Sequence, residues 1–165
     1  MRRKGEDGVG DYDDAFSPVP AASGFHTILS LATQQNMYTD HVDISQAFVQ
    51  RELLPGDDHN GKLYIFSPPG YDEDPLHVSR LLKPLYGILS AARAWHTTMS
   101  ACLAKEGCAT VVFEKSMWTV TIDGARILLG AHIDDFVIAC ANQHVLDGFR
   151  ARLLDAFEGT YEGAL

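Results

Sequence analysis

Two adjacent aspartates, Asp134 and Asp135, interrupt a long apolar stretch that runs from residue 127 to residue 140. The runs on either side are rich in Ile, Leu and Val and are short for helices, which favours two β-strands. Because Asp-Asp is typical of a tight turn, the pattern predicts a hairpin with both carboxylates at its tip. A hard cation such as Mg²⁺ would relieve their mutual repulsion. The alternative for an isolated Asp-Asp pair is a solvated turn without chemistry.

The size and charge of the chain limit the classes of protein to which it can belong. Its 165 residues fit one domain with a single core, and a composition of 46% apolar and 21% charged residues is typical of a globular protein. The formal net charge of −9 excludes a surface that is basic throughout, so any binding of nucleic acid is local or assisted.

Cysteine use and hydropathy indicate an intracellular protein without a membrane role. The three cysteines, Cys102, Cys108 and Cys140, are odd in number and form no Cys-x-x-Cys pair, which favours reduced thiols over structural zinc. No apolar run approaches the roughly 20 residues that cross a bilayer. A cytoplasmic particle and the nucleus both remain open as the location.

Hydrophobic periodicity predicts an α+β fold after an irregular lead-in over residues 1–18. We expect an antiparallel sheet packed on helices, with the helices on one face and the acidic residues at strand ends on the other side. The predicted helices are 24–37 with Ser23 as its cap, a short one at 47–54, 90–105 and 143–157. The predicted strands are 38–44, 62–66, 78–82, 117–122, 126–132, which is also the first arm of the acidic hairpin, and the second arm of that hairpin. Strands 62–66 and 78–82 could pair as a hairpin around the acidic loop 72–74, and Asp123-Gly124 predicts a type I′ turn between 117–122 and 126–132.

A third carboxylate, Asp43, lies near the end of the predicted strand 38–44 and is a candidate partner for Asp134 and Asp135. If the two strands are neighbours in the sheet, the three side chains converge. Such a cluster can hold two Mg²⁺ ions roughly 3.5 to 4 Å apart and promote phosphoryl transfer. Carboxylate oxygens suit this role because Mg²⁺ prefers hard ligands.

Five segments, in order, resemble the reverse transcriptase domain of Ty1/copia-type LTR retrotransposons. They are Asp-Tyr followed by Phe-Ser-Pro-Val within 11–19, His-Val-Asp-Ile-Ser-Gln-Ala-Phe over 41–48, Leu-Tyr-Ile and Pro-Pro-Gly-Tyr within 63–71, Leu-Lys-Pro-Leu-Tyr-Gly-Ile and Ala-Ala-Arg-Ala-Trp within 82–95, and His-Ile-Asp-Asp over 132–135. Any one of these motifs alone is weak, whereas five in the family's order and spacing are strong.

The resemblance implies an RNA-directed DNA polymerase that uses two Mg²⁺ ions, with Mn²⁺ as a possible substitute. Asp43 and Asp134 would bridge the metal ions, and Asp135 would complete the catalytic set. The substrates would be an RNA or DNA template with its primer and a deoxynucleoside triphosphate (dNTP). His132 and Ile133 would lie beside the primer end, where His132 replaces the family's usual Tyr.

Five further residues would contact the nucleotide according to the same resemblance. Backbone N–H groups of Ser45 and Gln46 would face the triphosphate, the ring of Phe48 would exclude a ribose 2′-OH, and Tyr86 and Gly87 would line the nucleotide and template. The plain alternatives are a core aromatic for Phe48 and an ordinary strand-to-helix turn for Tyr86 and Gly87.

The resemblance also implies that residues 19–165 form a polymerase palm with partial fingers, whereas the thumb and RNase H regions are absent. Those regions, or other proteins encoded by the element, would then be partners. Two alternatives belong to other classes. One is an inactive, truncated or domesticated palm that acts only as a binding module. The other is a two-metal nuclease, which Phe48 and the Tyr86-Gly87 loop disfavour.

Overall fold

A computed structural model describes residues 22–51, 63–67, 70–71, 77–88 and 91–165. The predicted lead-in 1–18, the far end of the predicted helix 47–54 and the acidic loop 72–74 lie outside these ranges. The elements are helices α1 (Ala22–Gln34), α2 (Ala91–Lys105) and α3 (Gln143–Ala156), a 3₁₀ turn (Ala47–Gln50), and strands β1 (Tyr38–Ile44), β2 (Leu63–Phe66), β3 (Val78–Leu81), β4 (Ala109–Val111), β5 (Glu114–Ile122), β6 (Ala125–His132), β7 (Asp135–Cys140) and β8 (Gly159–Ala164). This mixture of helices and antiparallel strands confirms the α+β class.

The described residues fall into two compact units. The larger contains residues 22–47 and 96–165, and the smaller contains the described residues between 48 and 95. In the smaller unit, β2 and β3 pair antiparallel as a two-stranded sheet, which confirms the predicted hairpin. None of the described helices is both long enough and apolar enough to span a bilayer.

A six-stranded antiparallel sheet in the order β4-β5-β6-β7-β1-β8 forms the centre of the larger unit. β7 is apolar at every position from Phe136 to Cys140, and all five of these side chains are buried. A continuous apolar strand of this kind requires cover on both faces of the sheet, since successive side chains point to opposite sides. The helices provide that cover.

Helix α1 packs on the face of the sheet that carries Asp135. Side chains two residues apart on a strand share a face, so Asp135 lies on the same side as Val137 and Ala139. These two residues form a buried cluster with Ile28 and Ala32 of α1. The prediction that helices cover only one face, opposite the acidic residues, is therefore wrong, because α1 covers part of the acidic face.

Helix α3 lies on the opposite face, where a polar cluster links it to β1 and β8. Asp40 of β1 is buried, and the guanidinium of Arg150 donates a hydrogen bond to its carboxylate. Arg150 also pairs with Asp147 at 2.8 Å and lies 4.1 Å from the centre of the Tyr161 ring. The Tyr161 hydroxyl donates to Asp40 at 3.1 Å. The buried charge of Asp40 is thus fully partnered, which is the condition for its burial.

A turn and a cap explain where β5 ends and where β6 and α3 begin. Asp123 and Gly124 both have positive φ angles, 49° and 74°, so the β5-β6 connection has the sign pattern of the type I′ turn predicted for Asp-Gly. The side-chain oxygen of Asn142 accepts from the Val145 N–H at 3.3 Å and caps α3. The cap predicted at Ser23 is wrong, because α1 already begins at Ala22.

The thiols offer a direct check of the core. Burial, followed by the charge of Glu106, raises the pKa of Cys108 to about 11, which leaves roughly one thiol in a thousand ionised at pH 8. We expect Cys108 to resist iodoacetamide at pH 8 in the folded protein and to react readily in 6 M guanidinium chloride. Mass spectrometry of the labelled peptides measures this, with the less buried Cys102 as the internal comparison. Labelling of Cys108 as fast as Cys102 in buffer would contradict the packing.

Candidate active site

The pairing of β1 with β7 places Asp43 directly opposite Asp135. Residues paired in an antiparallel ladder have Cα atoms about 4.5 to 5.5 Å apart and side chains on the same face. The strand that carries Asp43 is therefore a neighbour of the strand that carries Asp135, which meets the condition for the carboxylates to converge. On its other side, Asp135 pairs with His132 of β6.

The turn between β6 and β7 consists of Ile133 and Asp134, so only one of the two adjacent carboxylates lies in the turn. Asp135 is already the first residue of β7, which corrects the prediction that both carboxylates lie at the tip. Ile133 has a φ of 57°, a conformation that is strained for a β-branched residue. The Ile44 N–H donates to the Asp134 carbonyl oxygen at 2.8 Å, which ties this turn to the end of β1.

The electrostatics of Asp43 reflect the crowding of negative charge at this end of the sheet. Burial, then the charges of Asp134, Asp135 and Glu162, raise the pKa of the Asp43 carboxyl above its ordinary value, and His41 opposes them. The charges of both predicted partners, Asp134 and Asp135, therefore act on Asp43. Such mutual repulsion favours the binding of a cation.

Glu162 is a fourth acidic residue in this group, and sequence reasoning did not identify it. It belongs to β8, where the register with β1 shifts because His41 pairs with Gly163 and Val42 with Tyr161. Glu162 is the extra residue of that bulge. Its carboxylate accepts a hydrogen bond from the hydroxyl of Thr160, the residue paired with Asp43. The polar, glycine-containing sequence of β8 offered no signal for this strand.

His41 is a further residue of the site that the sequence analysis did not select. Its Nε2 atom lies 2.9 Å from Oδ1 of Asp135, and the imidazole donates to the carboxylate. His41 and Asp43 lie on the same face of β1 because they are two residues apart. The alternation of side chains along the predicted strand was therefore the available signal.

The donor set fits Mg²⁺ in type and charge, because carboxylate oxygens are the ligands this ion prefers. In the part of the chain that the structure describes, no three His, Cys, Asp or Glu side chains are grouped closely enough to hold a metal ion as they stand. At least one of the three side chains must therefore reorient before Asp43, Asp134 and Asp135 can share an ion.

Ser45 and Gln46 follow directly after β1. The Ser45 N–H donates to the Glu158 carbonyl oxygen at 2.9 Å and is already engaged within the protein. Gln46 has a φ of 50°, the left-handed conformation. His132 and Ile133 are exposed at the β6-β7 turn.

Phe48, Tyr86 and Gly87 belong to the smaller unit, where the structure brings the two aromatic rings together. The ring centres of Phe48 and Tyr86 are 4.5 Å apart. Phe48 is 6% exposed and Tyr86 is 58% exposed, so Phe48 is a core residue as well as a candidate nucleotide contact. Gly87 has a φ of 92°, which only glycine adopts readily.

The chain matches one known protein family over nearly its whole length. The sequence model of the family described as "Reverse transcriptase (RNA-dependent DNA polymerase)" matches residues 5–165. The chain therefore belongs to the reverse transcriptase family. Its relatives place it more narrowly among the Ty1/copia-type Pol polyproteins of retrotransposons.

Three relatives illustrate the similarity. The chain is 28% identical over 148 residues to the retrovirus-related Pol polyprotein from transposon RE2 of Arabidopsis thaliana, covering 86% of this chain and 10% of that protein. It is 30% identical over 130 residues to the RE1 polyprotein of the same plant, covering 78% of this chain and 8% of that protein. It is 26% identical over 136 residues to the Ty1-MR1 Gag-Pol polyprotein of Saccharomyces cerevisiae, covering 82% of this chain and 7% of that protein. The chain thus spans about a tenth or less of these curated relatives, and no solved structure matches it.

The raised pKa of Asp43 has a consequence for stability. The folded state holds the Asp43 proton more tightly than the unfolded state, so its ionisation costs stability as pH rises above about 4. We expect Asp43→Asn to raise the Tm of the metal-free protein at pH 7 by roughly 1 to 4 °C. Calorimetry in EDTA measures this shift. The control is Asp123→Asn, since Asn-Gly also suits a type I′ turn; equal effects of the two substitutions would contradict the crowding.

Gly159 allows β8 to approach β1 at Asp43. A Cβ atom at Gly159 would lie 2.5 Å from the Asp43 carbonyl oxygen, so backbone has to move. We expect Gly159→Ala to reduce the free energy of unfolding by about 1 to 3 kcal/mol. Gly148→Ala is the matched control, because Gly148 lies in α3 with its nearest side-chain atom at 3.8 Å, and alanine favours a helix by up to about 1 kcal/mol. Urea unfolding measures the free energy of unfolding of both variants. We expect Gly159→Ala to lower it and Gly148→Ala to raise it.

Proposed function

We propose that this chain is the polymerase core of a copia-type reverse transcriptase and joins a dNTP to a primer 3′-OH on an RNA or DNA template. The observation that carries the proposal is the pairing of Asp43 with Asp135 across β1 and β7, beside Asp134. These acids occupy the positions that match the two aspartate motifs of the family. The chain's match to the reverse transcriptase family supports the reaction type.

Asp43, Asp134 and Asp135 would hold two Mg²⁺ ions. When bound, these ions would activate the attacking hydroxyl and neutralise charge on the triphosphate. The contribution of the protein is to keep carboxylates close together in spite of their repulsion. The ladder between β1 and β7 fixes Asp43 and Asp135, and the hydrogen bond from Ile44 to Asp134 fixes the strained turn.

Nucleic acid binding is supported by the smaller unit. Tyr64 and Phe66 are 55% and 77% exposed and lie on one face of β2, with Arg80 paired to Tyr64. Exposed aromatic rings on one face of a strand suit the stacking of bases.

Selection of the deoxynucleotide would fall to Phe48. Its ring is buried and lies against Tyr86, so it has little freedom to move aside. A ring that is held in this way is able to exclude a 2′-OH group by steric contact.

A second candidate is a palm that binds template or protein without polymerising. It is favoured by the finding that, among the described residues, no three ligand side chains are grouped closely enough for a metal ion. A shared fold with active enzymes does not establish activity.

Primer extension separates these functions. The assay uses the chain as given, oligo(dT) annealed to poly(rA), dTTP and either Mg²⁺ or Mn²⁺. We expect incorporation that Asp134→Asn reduces to background, because Asp134 would be a ligand of the ions, and that Asp123→Asn leaves unchanged.

Other outcomes of this assay exclude the proposal. Absence of incorporation by the wild-type protein, with template binding retained in an anisotropy measurement, supports the binding module. Cleavage of the template instead of extension identifies a nuclease.

A further inference from the structure

The hydrogen bond between His41 and Asp135 is not explained by the family's aspartate motifs. The Nε2 atom of His41 lies 2.9 Å from Oδ1 of Asp135. The two residues are not a ladder pair, since His41 pairs with Val137 and Asp135 pairs with Asp43. The imidazole therefore reaches diagonally along the acidic face to the carboxylate that begins β7.

The backbone on which His41 stands is held on both sides. His41 pairs with Val137 of β7 and with Gly163 of β8. The preceding residue, Asp40, is fixed on the opposite face by Arg150 and Tyr161. The donor of the hydrogen bond thus starts from a rigid position.

The acceptor is less restricted. The side chain of Asp135 is 50% exposed, compared with 32% for His41. A half-exposed carboxylate at the start of a strand exchanges rotamers readily, and each freely rotating ligand raises the entropic cost of capturing an ion. A hydrogen bond from a fixed donor removes part of this freedom before the ion arrives.

We propose that His41 is a positioning residue that orients the Asp135 carboxylate for divalent metal. Oδ1 is held by the imidazole, and Oδ2 is left as the oxygen that would contact the ion. The proposal rests on the proposed function, because it assumes that Asp135 binds metal. It adds a residue that acts through Asp135 and does not itself contact the reacting atoms.

The test is the Mn²⁺ affinity of the metal-free protein at pH 8, measured from the electron paramagnetic resonance signal of free Mn²⁺. We expect His41→Ala to weaken binding by about 10- to 100-fold, the usual effect of removing a group that orients a metal ligand. His41→Gln should restore binding to within about threefold, because its amide N–H reaches nearly as far as Nε2. His144→Ala is the matched control, since His144 is exposed on α3, and should bind like the wild type.

A second readout needs no metal. In protein with ¹³C-labelled aspartate, the Cγ resonance of Asp135 is assigned by its loss in Asp135→Asn. We expect this resonance to shift in His41→Ala and to return towards its original position in His41→Gln. Tm values measured in EDTA establish that each variant is folded.

The outcomes separate this proposal from the proposed function. The positioning role is overturned if His41→Ala binds Mn²⁺ with the affinity of the wild type, or if His41→Ala and His41→Gln weaken Mn²⁺ binding equally. Either result leaves the metal site intact. Failure of the wild-type protein to bind Mn²⁺, or an affinity that Asp134→Asn leaves unchanged, overturns the proposed metal site instead. If the metal site is overturned, the Asp135 Cγ resonance still tests the hydrogen bond from His41. A resonance that His41→Ala leaves in place refutes the hydrogen bond, and a resonance that shifts confirms it.

Discussion

The pairing of β1 with β7 is the interaction on which the rest of this structure depends. It sets Asp43 opposite Asp135. Like charges directly opposite each other destabilise a sheet by about 0.2 to 1 kcal/mol. The other face of the same two strands buries Val42, Ile44 and Phe136, each contributing roughly 1.5 to 3 kcal/mol. The stabilisation from burial of the apolar face therefore exceeds the repulsion between Asp43 and Asp135. The two acids are held together by a core that they do not help to form.

Strand β1 carries two aspartates in opposite electrostatic surroundings. Asp40 is buried against Arg150 and the Tyr161 hydroxyl, so its charge is balanced. Asp43, three residues later and on the other face, has carboxylates as neighbours, and burial, followed by their charges, raises its pKa. A balanced carboxylate stabilises the contact of β8 and α3 with β1. An unbalanced one retains its attraction for a cation, which is what a metal site requires.

Sequence reasoning was sufficient where one periodicity dominates. β1 was predicted with its observed bounds, α2 within one residue, and the Asp123-Gly124 turn from its dipeptide. It failed where pairing between distant segments decides the structure. β8 contains two glycines and alternates poorly, so only its ladder with β1 makes it a strand and brings Glu162 to Asp43. The side of the sheet that α1 covers could not be predicted either, because an amphipathic pattern identifies the buried face of a helix and not the surface on which the helix packs.

The two interpretations of Phe48 illustrate why motif and packing need not compete. A buried aromatic is ordinarily a core residue, and Phe48, 6% exposed and in contact with Tyr86, fits that description. A residue that discriminates between sugars by steric exclusion must resist displacement by a single oxygen atom. Close packing supplies that resistance, since protein interiors are dense and transmit strain instead of yielding to it. Burial of the ring is therefore a requirement of the proposed role of Phe48 and not an argument against it.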